Sequence, residues 1–190
     1  MDITHGALED TIGQSLKALR IQRSMTIDQL SSLSGVSRAM ISKIERAEAS
    51  PTAVLLARLL TPLGQSLSEF FARPAPQASA LQKREDQALW RDPETGYRRR
   101  AVSPPGFPMH TDLVEVELPA GARVTMPPVP SLPPQMQYVW LLEGELSMHC
   151  DGASHAMQAG DCLYMTLSHP ITFHNPTTDA CRYAVVLRRA

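Results

Sequence analysis

The sequence predicts two domains of different class, an all-α domain of five helices followed by an all-β domain. Up to about Phe71, apolar residues recur at three- and four-residue steps, as Ile12, Leu16 and Leu19 do, which is the period of amphipathic helices. From about Tyr97 onward, short runs of Val, Leu, Tyr and Met are separated by Pro and Gly, a pattern typical of strands. The stretch between them is rich in Pro and Ala and then charged, so it cannot bury itself. The predicted divisions are a helical domain at 1–72, a linker at 73–89 and a strand domain at 90–190.

Composition limits the classes of protein to consider. Hydrophobic residues make up 43% of the 190 residues and charged residues 19%, as in a soluble globular protein. The formal net charge of -1 leaves nucleic acid open as a partner, because a local basic face can lie within a neutral total. No apolar run is long enough to span a bilayer, and the N-terminus lacks the pattern of a signal peptide. We therefore expect a cytoplasmic protein that does not contact membranes.

The cysteines do not predict a disulfide framework. Cys150, Cys162 and Cys181 are an odd set with no close pair. We expect them to be small buried hydrophobes in a reducing compartment.

The second and third helices have clear end signals. Thr26 and Gln29 form a T-x-x-Q capping box at the start of the second helix. Gly35 can adopt the left-handed conformation that ends this helix, and Ser37 can cap the third, which continues to about Arg46. Two helices joined by a short glycine turn form a helix-turn-helix unit. The other helices have the start signals Thr11 (for a helix over Ile12 to Arg23), Ser50-Pro51, and the capping box Ser66-Glu69.

The third helix has a polar outer face that suits DNA. Val36, Ile41 and Ile44 are expected to face the core. Arginine and lysine can donate to guanine, and alanine permits close approach to a base. Gln29 and the amide groups at the helix N-termini, such as the one that begins at Ser37, can bind phosphates. The alternative is an ordinary solvated face. The candidate residues on the outer face are Arg38, Ala39, Ser42, Lys43 and Arg46.

The helical region resembles a known family of DNA-binding domains. The string G-V-S-R-x-x-I-S-K-I-E-R begins at Gly35 and is followed by Ser50-Pro51-Thr52. On these residues, the stretch from about Leu16 to Phe70 resembles the XRE family of lambda-repressor-like helix-turn-helix domains. The resemblance implies that the third helix is the recognition helix and that Glu45 pairs with Arg20.

Four short motifs are spaced along the strand domain. They are Leu118-Pro119-Ala120-Gly121, the run from Tyr138 to Leu146 around Glu143-Gly144, Ala159-Gly160-Asp161 and Phe173-His174-Asn175-Pro176. On these residues, the stretch from about Leu113 to Leu187 resembles the cupin family, whose fold is a double-stranded β-helix or jelly roll. The resemblance implies this barrel for the second domain.

The metal-binding pattern of catalytic cupins is missing. Where those enzymes have two histidines and a glutamate in a first motif and a histidine in a second, the resemblance places Ser131, Pro133, Gln137 and Ile171. Hydroxyl, imide ring, amide and hydrocarbon do not form a transition-metal site, so we expect no metal and no cofactor. The alternative is a rearranged site that uses His110, His149 or His169.

Alternation along the strands predicts an inward apolar surface. Gln137, Val139 and Leu141 share one face of a strand, and Ile171 and Phe173 share a face of another. An apolar lining with a single amide is typical of a ligand pocket, although these side chains can also simply fill a small barrel. The candidate effector-pocket residues are Gln137, Val139, Leu141, Met165, Ile171 and Phe173.

Two further features have alternative interpretations. Tyr138 and Trp140 alternate to the opposite face from Gln137, where they pack under another strand or form a subunit interface. The run Arg98-Arg99-Arg100 is either solvated or turns one arginine inward to meet an anionic ligand.

Together, the resemblances imply a homodimeric transcriptional regulator with three partners: a double-stranded DNA operator, a small-molecule effector and a second copy of the chain. Two alternatives remain at this stage. One is a metal-dependent cupin enzyme tethered to a DNA-binding domain, and the other is a barrel that serves only for dimerisation.

Overall fold

The computed structural model describes residues 4–71, 79–105, 107, 111–130 and 133–188. Within these ranges, five α-helices come first, as the sequence predicts. The helices are α1 Thr4–Gln22, α2 Ile27–Ser34, α3 Arg38–Glu45, α4 Ala53–Leu60 and α5 Leu67–Phe71. A 3₁₀ turn, Thr61–Leu63, follows α4, and another, Arg84–Asp86, precedes the first strand.

The predicted boundary between α2 and α3 is confirmed. The Thr26 amide donates to Gln29 Oε1 at 2.8 Å, and the Gln29 amide donates to Thr26 Oγ1 at 3.1 Å. Gly35 ends α2 with φ 66°, in the left-handed region that favours glycine. The Ser37 hydroxyl then accepts the Met40 amide at 3.3 Å and caps α3.

Two predicted helix starts are wrong. Helix α1 begins at Thr4, so Thr11 lies inside the helix rather than capping it. The residues before Thr11 include no proline, and the backbone hydrogen bonds can continue through them. The cap of α4 is Thr52 rather than Ser50, because its hydroxyl accepts the Leu55 amide at 3.2 Å, while Pro51 precedes the cap.

Among the residues that the structure describes, ten strands form two antiparallel sheets, and the strand domain therefore has the double-sheet jelly-roll architecture that includes the cupins. The bounds are β1 Leu89–Arg91, β2 Arg98–Ala101, β3 Thr111–Leu118, β4 Arg123–Met126, β5 Met136–Glu143, β6 Glu145–Cys150, β7 Ala153–Gln158, β8 Cys162–Thr166, β9 Ile171–His174 and β10 Cys181–Arg188. The six-stranded sheet has the order β1-β2-β3-β10-β5-β8, and the four-stranded sheet has the order β4-β9-β6-β7.

Two positions show how the barrel closes. At Gly144, between β5 and β6, φ is 80°, and an added Cβ would lie 2.9 Å from the Cβ of Cys181. The fully buried Asn175 side chain donates to three carbonyl oxygens, those of Leu118, Pro119 and Asp179. A buried amide satisfied in this way fixes the loop after β9 against the loop after β3.

The helical domain is docked on the barrel. The Asp92 carboxylate, between β1 and β2, accepts the amide of Ala53 at the start of α4. The Thr61 hydroxyl donates to the carbonyl of Pro128 at 3.2 Å. The rings of Phe71 and Trp90 lie 5.4 Å apart. Because these contacts come from both ends of α4 and from α5, the two domains share a packed interface.

The segment before β1 also contacts the barrel. Only one 3₁₀ turn forms there among the described residues, and Leu81 is exposed. The Arg84 guanidinium donates to the Glu115 carboxylate on β3 at 3.0 and 3.2 Å.

Two findings concern other expectations from the sequence. No helix in the described part of the chain is both long enough and apolar enough to cross a bilayer. Cys150 and Cys181 are buried, as expected, but Cys162 is exposed because its side chain points outward from edge strand β8.

Candidate functional site

The orientation of α3 is fixed by a buried ion pair with α1. Arg20 on α1 donates from Nε and Nη2 to the two carboxylate oxygens of Glu45, at 2.7 and 2.9 Å. Its Nη1 donates to the carbonyl of Met25 at 2.8 Å. The hydrogen bond with Glu45 raises the pKa of Arg20. The pairing implied by the family resemblance is therefore present in the structure.

A glycine allows the same two helices to approach closely. A Cβ placed on Gly13 of α1 would lie 2.4 Å from the carbonyl oxygen of Ile44. Any side chain at this position would push α3 away. Gly13 was not among the residues predicted from the sequence, where the available signal was a glycine inside an apolar helical pattern.

Most of the candidate residues of α3 lie on its exposed side. Ile41 and Ile44 are buried, and Val36 before the helix is buried with them, as predicted. Ser42 is half-buried. The exposed candidates are Arg38, Ala39, Lys43 and Arg46.

The charged candidates differ in how far their side chains are engaged. Arg38 donates to Asp28 at 3.0 Å, and Arg46 makes a two-point contact with Glu48 at 2.7 and 2.8 Å. The hydrogen bond from Arg46 lowers the pKa of Glu48. Lys43 has no ion pair among the described residues. Lys43 acts on Glu48 electrostatically, but within that part of the chain its ammonium group has no ion pair to break when an anion approaches.

The two candidates at the helix starts already cap their helices. Gln29 and Ser37 are exposed, and both side chains accept backbone amides. Met40 is 37% exposed on the same helix and was not among the predicted DNA-contacting residues. The available signal was its position directly before the buried Ile41, because this position lies outside the helical repeat of core residues.

A cavity of about 80 Å³ lies at the interface of the two domains. One side is formed by the barrel, from β2, β3, β5, β9 and β10. The other side is formed by the end of α4, the 3₁₀ turn and the start of α5, through Ala57, Thr61, Gln65, Ser66, Leu67 and Ser68. A molecule in the barrel mouth would therefore contact the helical domain as well.

The candidate pocket residues fall into two groups. Gln137, Ile171 and Phe173 line the cavity. Val139, Leu141 and Met165 are buried but do not line it. Met165 lies behind the lining residue Gln137, whose Nε2 donates to the Met165 sulfur at 3.4 Å.

A charged side chain, Arg99 on β2, lines the cavity and is only 5% exposed. Its guanidinium donates to the Ser68 hydroxyl at 2.5 Å and lies 5.5 Å from the centre of the Phe71 ring. Burial lowers the pKa of Arg99. The sequence left open one inward arginine in the run from Arg98 to Arg100, but Arg99 was not among the predicted pocket residues.

The residues at the cupin ligand positions do not fit a metal. The amide of Gln137 donates to a sulfur atom, and Ile171 offers only hydrocarbon. Pro133 is exposed, and Ser131 lies outside the described residues.

Among the described residues, the histidines considered for a rearranged metal site have different hydrogen-bond partners and share none. His149 Nδ1 lies 3.0 Å from the Ser154 hydroxyl, and His169 Nδ1 lies 2.8 Å from the Asp151 carboxylate. Both are exposed. His110 lies outside the described residues.

Comparisons with known proteins agree with both halves of the fold. Residues 16–70 match the family model for Helix-turn-helix (HTH_3). The HTH-type transcriptional regulator SutR of Escherichia coli is 35% identical over 78 residues, which are 41% of this chain and 44% of that protein. The HTH-type transcriptional regulator PuuR of Escherichia coli is 27% identical over 171 residues, which are 90% of each chain.

A solved structure extends the likeness to the whole chain. The HTH_3 family transcriptional regulator from Vibrio cholerae matches with a TM-score of 0.76 and 23% identity, over 97% of this chain and 98% of that one. At this identity the likeness shows a common fold for both domains. The chain therefore joins a helix-turn-helix domain at residues 16–70 to a double-sheet jelly-roll domain, and it is similar over most of its length to proteins named as transcriptional regulators.

Proposed function

We propose that the chain is a sequence-specific DNA-binding regulator that acts in the cytoplasm as a homodimer and responds to a small molecule held in the barrel cavity. One observation carries the proposal: the cavity has a barrel wall and a wall from the helical domain. An occupant that prefers one arrangement of the two walls changes the population of that arrangement.

The DNA-reading role is assigned to α3. Its exposed side presents Arg38, Ala39 and Lys43 at the N-terminal and central turns, where recognition helices contact base edges. Ser42 and Arg46 flank them and bind each other at 2.5 Å. We assign phosphate binding to the exposed helix starts at Gln29 and Ser37.

The homodimer is assigned to the outer face of the six-stranded sheet. Tyr138, Trp140 and Tyr164 are each 50% exposed there. In the strand register, Leu113, Val186, Tyr138 and Tyr164 form one row across β3, β10, β5 and β8. A continuous aromatic patch of this kind marks an interaction surface.

A second copy of the chain is the occupant that fits this patch. Two-fold DNA readers place two recognition helices about 34 Å apart, so one α3 per chain calls for a partner chain. The patch is bordered by ion-paired Arg182 and Glu143, which offer both charge signs to an identical surface.

The enzyme alternative has less support. It needs an electrophile in the barrel, and the side chains of Gln137 and Ile171 do not supply the ligands for one. The relatives are named as transcriptional regulators.

The experiment begins by selecting an operator from random DNA duplexes with the purified protein. Operator affinity and its change with a library of small metabolites are then measured for two variants. Arg38→Ala with Lys43→Ala should lose operator binding, and Lys83→Ala serves as its control because Lys83 is an exposed cation away from α3. Ile171→Trp fills the cavity and should keep operator binding but lose the metabolite response.

Thr172→Trp is the matched control for the cavity, because Thr172 is the next residue of β9 and points to the opposite face. An intact metabolite response in Ile171→Trp would show that the cavity is not the sensor and that the barrel only dimerises. Normal operator binding by the folded double variant would remove the assignment of α3.

A further inference from the structure

The three consecutive arginines of β2 have different surroundings. Arg98 pairs with Glu117 at 3.2 Å, and Arg100 lies 3.8 Å from Glu115, both on the outer face of β3. Because side chains alternate along a strand, Arg99 points to the opposite side, into the cavity. The carboxylates that pair with Arg98 and Arg100 are therefore on the other side of the strand from the Arg99 guanidinium.

Arg99 has no carboxylate at ion-pair distance among the described residues. Asp112 and the Tyr183 hydroxyl act on it electrostatically. Its hydrogen-bond acceptors are two neutral hydroxyls, those of Ser68 and Tyr97. A guanidinium has five N–H donors and stays protonated, so a buried one with so few acceptors retains donors for a ligand.

The rest of the cavity favours an anion with an apolar body. Arg99 is the one charged side chain among the described residues that line the cavity. Tyr97, Tyr183 and Gln137 line it as well and can donate hydrogen bonds. Burial raises the pKa of Tyr97 and, well above its ordinary value, that of Tyr183, so both keep their protons. Most of the other lining residues are apolar, including Val114, Val116, Ile171, Phe173, Val185 and Leu187.

We propose that the cavity binds a small organic carboxylate, whose charged group accepts hydrogen bonds from Arg99 and whose hydrocarbon part lies against Ile171 and Phe173. This inference rests on the proposed function and names the chemical class of its effector. A cavity of about 80 Å³ is about half the volume that holds a benzene molecule, so it suits a short-chain acid. A carboxylate matches the planar, two-point geometry of a guanidinium.

The same contact connects the ligand to the DNA-reading domain. Ser68 and Phe71 belong to α5, and both contact the Arg99 guanidinium. A carboxylate is a stronger acceptor than the Ser68 hydroxyl, so it competes for the donor that Ser68 uses in addition to the donors that Arg99 retains. In that case α5 loses a contact with the barrel. The arrangement of the domains therefore depends on whether the cavity is occupied.

The first test compares ligands on the wild-type full chain. Calorimetry with propionate, butyrate and isobutyrate should show binding, whereas propionamide and propylamine, which have similar shapes, should not bind. Inorganic phosphate tests for a site that needs charge alone. Binding of phosphate but of no carboxylate, or of the amide or amine as tightly as the acid, would overturn the proposal.

The second test compares variants. Arg99→Met should lower carboxylate affinity at least about tenfold, because hydrogen bonds between charged groups are lost. Arg98→Met is the matched control, since it removes the neighbouring arginine from the outer face, and its affinity should be unchanged. Arg99→Lys keeps the charge without the two-point geometry and should bind with intermediate affinity, which tests the site should Arg99→Met not fold.

Ser68→Ala separates ligand binding from a purely structural role of Arg99. It removes the competing acceptor, so carboxylates should bind it as tightly as the wild type or more tightly. Weaker binding in Ser68→Ala than in Arg99→Met would contradict the proposal, because the interdomain contact would then matter more than the charge.

Failure of this inference can be told apart from failure of the proposed function. One outcome is that a neutral or cationic metabolite alters operator binding and that Ile171→Trp loses this response. This outcome overturns the carboxylate assignment but keeps the proposal that the cavity is the sensor. An operator affinity that no metabolite changes, in the wild type as in Ile171→Trp, overturns both.

Discussion

Arg20 in the helical domain and Arg99 at the barrel mouth are both buried, with 9% and 5% of their surfaces exposed, but their partners differ. Arg20 has the Glu45 carboxylate at 2.7 and 2.9 Å together with a backbone carbonyl. Arg99 has the hydroxyls of Ser68 and Tyr97 and the face of an aromatic ring, with no carboxylate among them. One buried cation is complete within the chain, and the other retains donors that the described residues do not use.

The difference separates two uses of a buried charge. A paired arginine holds two helices in register, and its removal leaves a buried carboxylate behind. An arginine whose counter-charge is supplied from outside costs stability in the empty protein and gives affinity when an anion arrives. The two domains also differ at their surfaces. The barrel exposes the aromatic side chains of Tyr138 and Trp140, whereas α3 exposes the basic side chains of Arg38 and Lys43.

The largest effect is expected at the paired arginine. Arg20→Met leaves the Glu45 side chain, which is only 5% exposed, without its partner. The free energy of unfolding should fall by about 3 kcal/mol, as for other buried pairs broken on one side. Arg99→Met should change it by less than about 1 kcal/mol, since it replaces a poorly compensated cation with hydrocarbon. Urea denaturation of both variants measures the difference.

A double variant tests whether the loss of stability in Arg20→Met comes from the unpaired Glu45 carboxylate. Arg20→Met with Glu45→Leu removes both charges and should recover part of the lost stability. If Arg20→Met and Arg99→Met destabilise equally, the contrast between the two arginines is lost, and Arg99 is a structural brace.

An intermediate effect is expected at the outer face of the barrel. Trp140→Glu places a charge in the centre of the aromatic patch, and dimer affinity should fall by about 2 kcal/mol or more, or roughly 30-fold. Analytical ultracentrifugation over a concentration series measures it. Ala156→Glu is the control, because Ala156 is exposed on β7 in the other sheet. A Trp140→Glu variant that dimerises like the wild type would show that this face is not the interface.

The sequence predicted best the features that depend on local chemistry. The boundary at Thr26, Gly35 and Ser37 needs only neighbouring residues, and all three behave in the structure as their types indicate. The start of α4 was misplaced because Ser50 and Thr52 are both good caps, and only the packing of the helix decides between them.

Features that depend on distant contacts were beyond the sequence pattern. Alternation divides Arg98, Arg99 and Arg100 into two faces, but three identical residues carry no hydrophobic signal for which face is inward. Alternation also assigns Val139 and Leu141 to the barrel interior without giving their depth, and the structure places them away from the cavity. The docking of α5 on the barrel depends on Phe71 and Trp90, which are separated along the chain by the linker.

The smallest effect is expected from a metal chelator, and it tests whether the barrel interior is a binding cavity or a rearranged metal centre. The positions that bind metal in catalytic cupins hold Gln137, bonded to the Met165 sulfur, and the hydrocarbon of Ile171. With no metal-binding free energy linked to folding, EDTA should leave the melting temperature unchanged. A metal bound at a hundred times its dissociation constant would add about 2.7 kcal/mol, so its removal would lower the melting temperature by roughly 5–10 °C in a chain of this size. Elemental analysis of the purified protein is the independent measurement. About one zinc, iron, nickel or manganese ion per chain, together with a chelator-sensitive melting temperature, would show a bound metal and make the enzyme alternative the better account of the barrel.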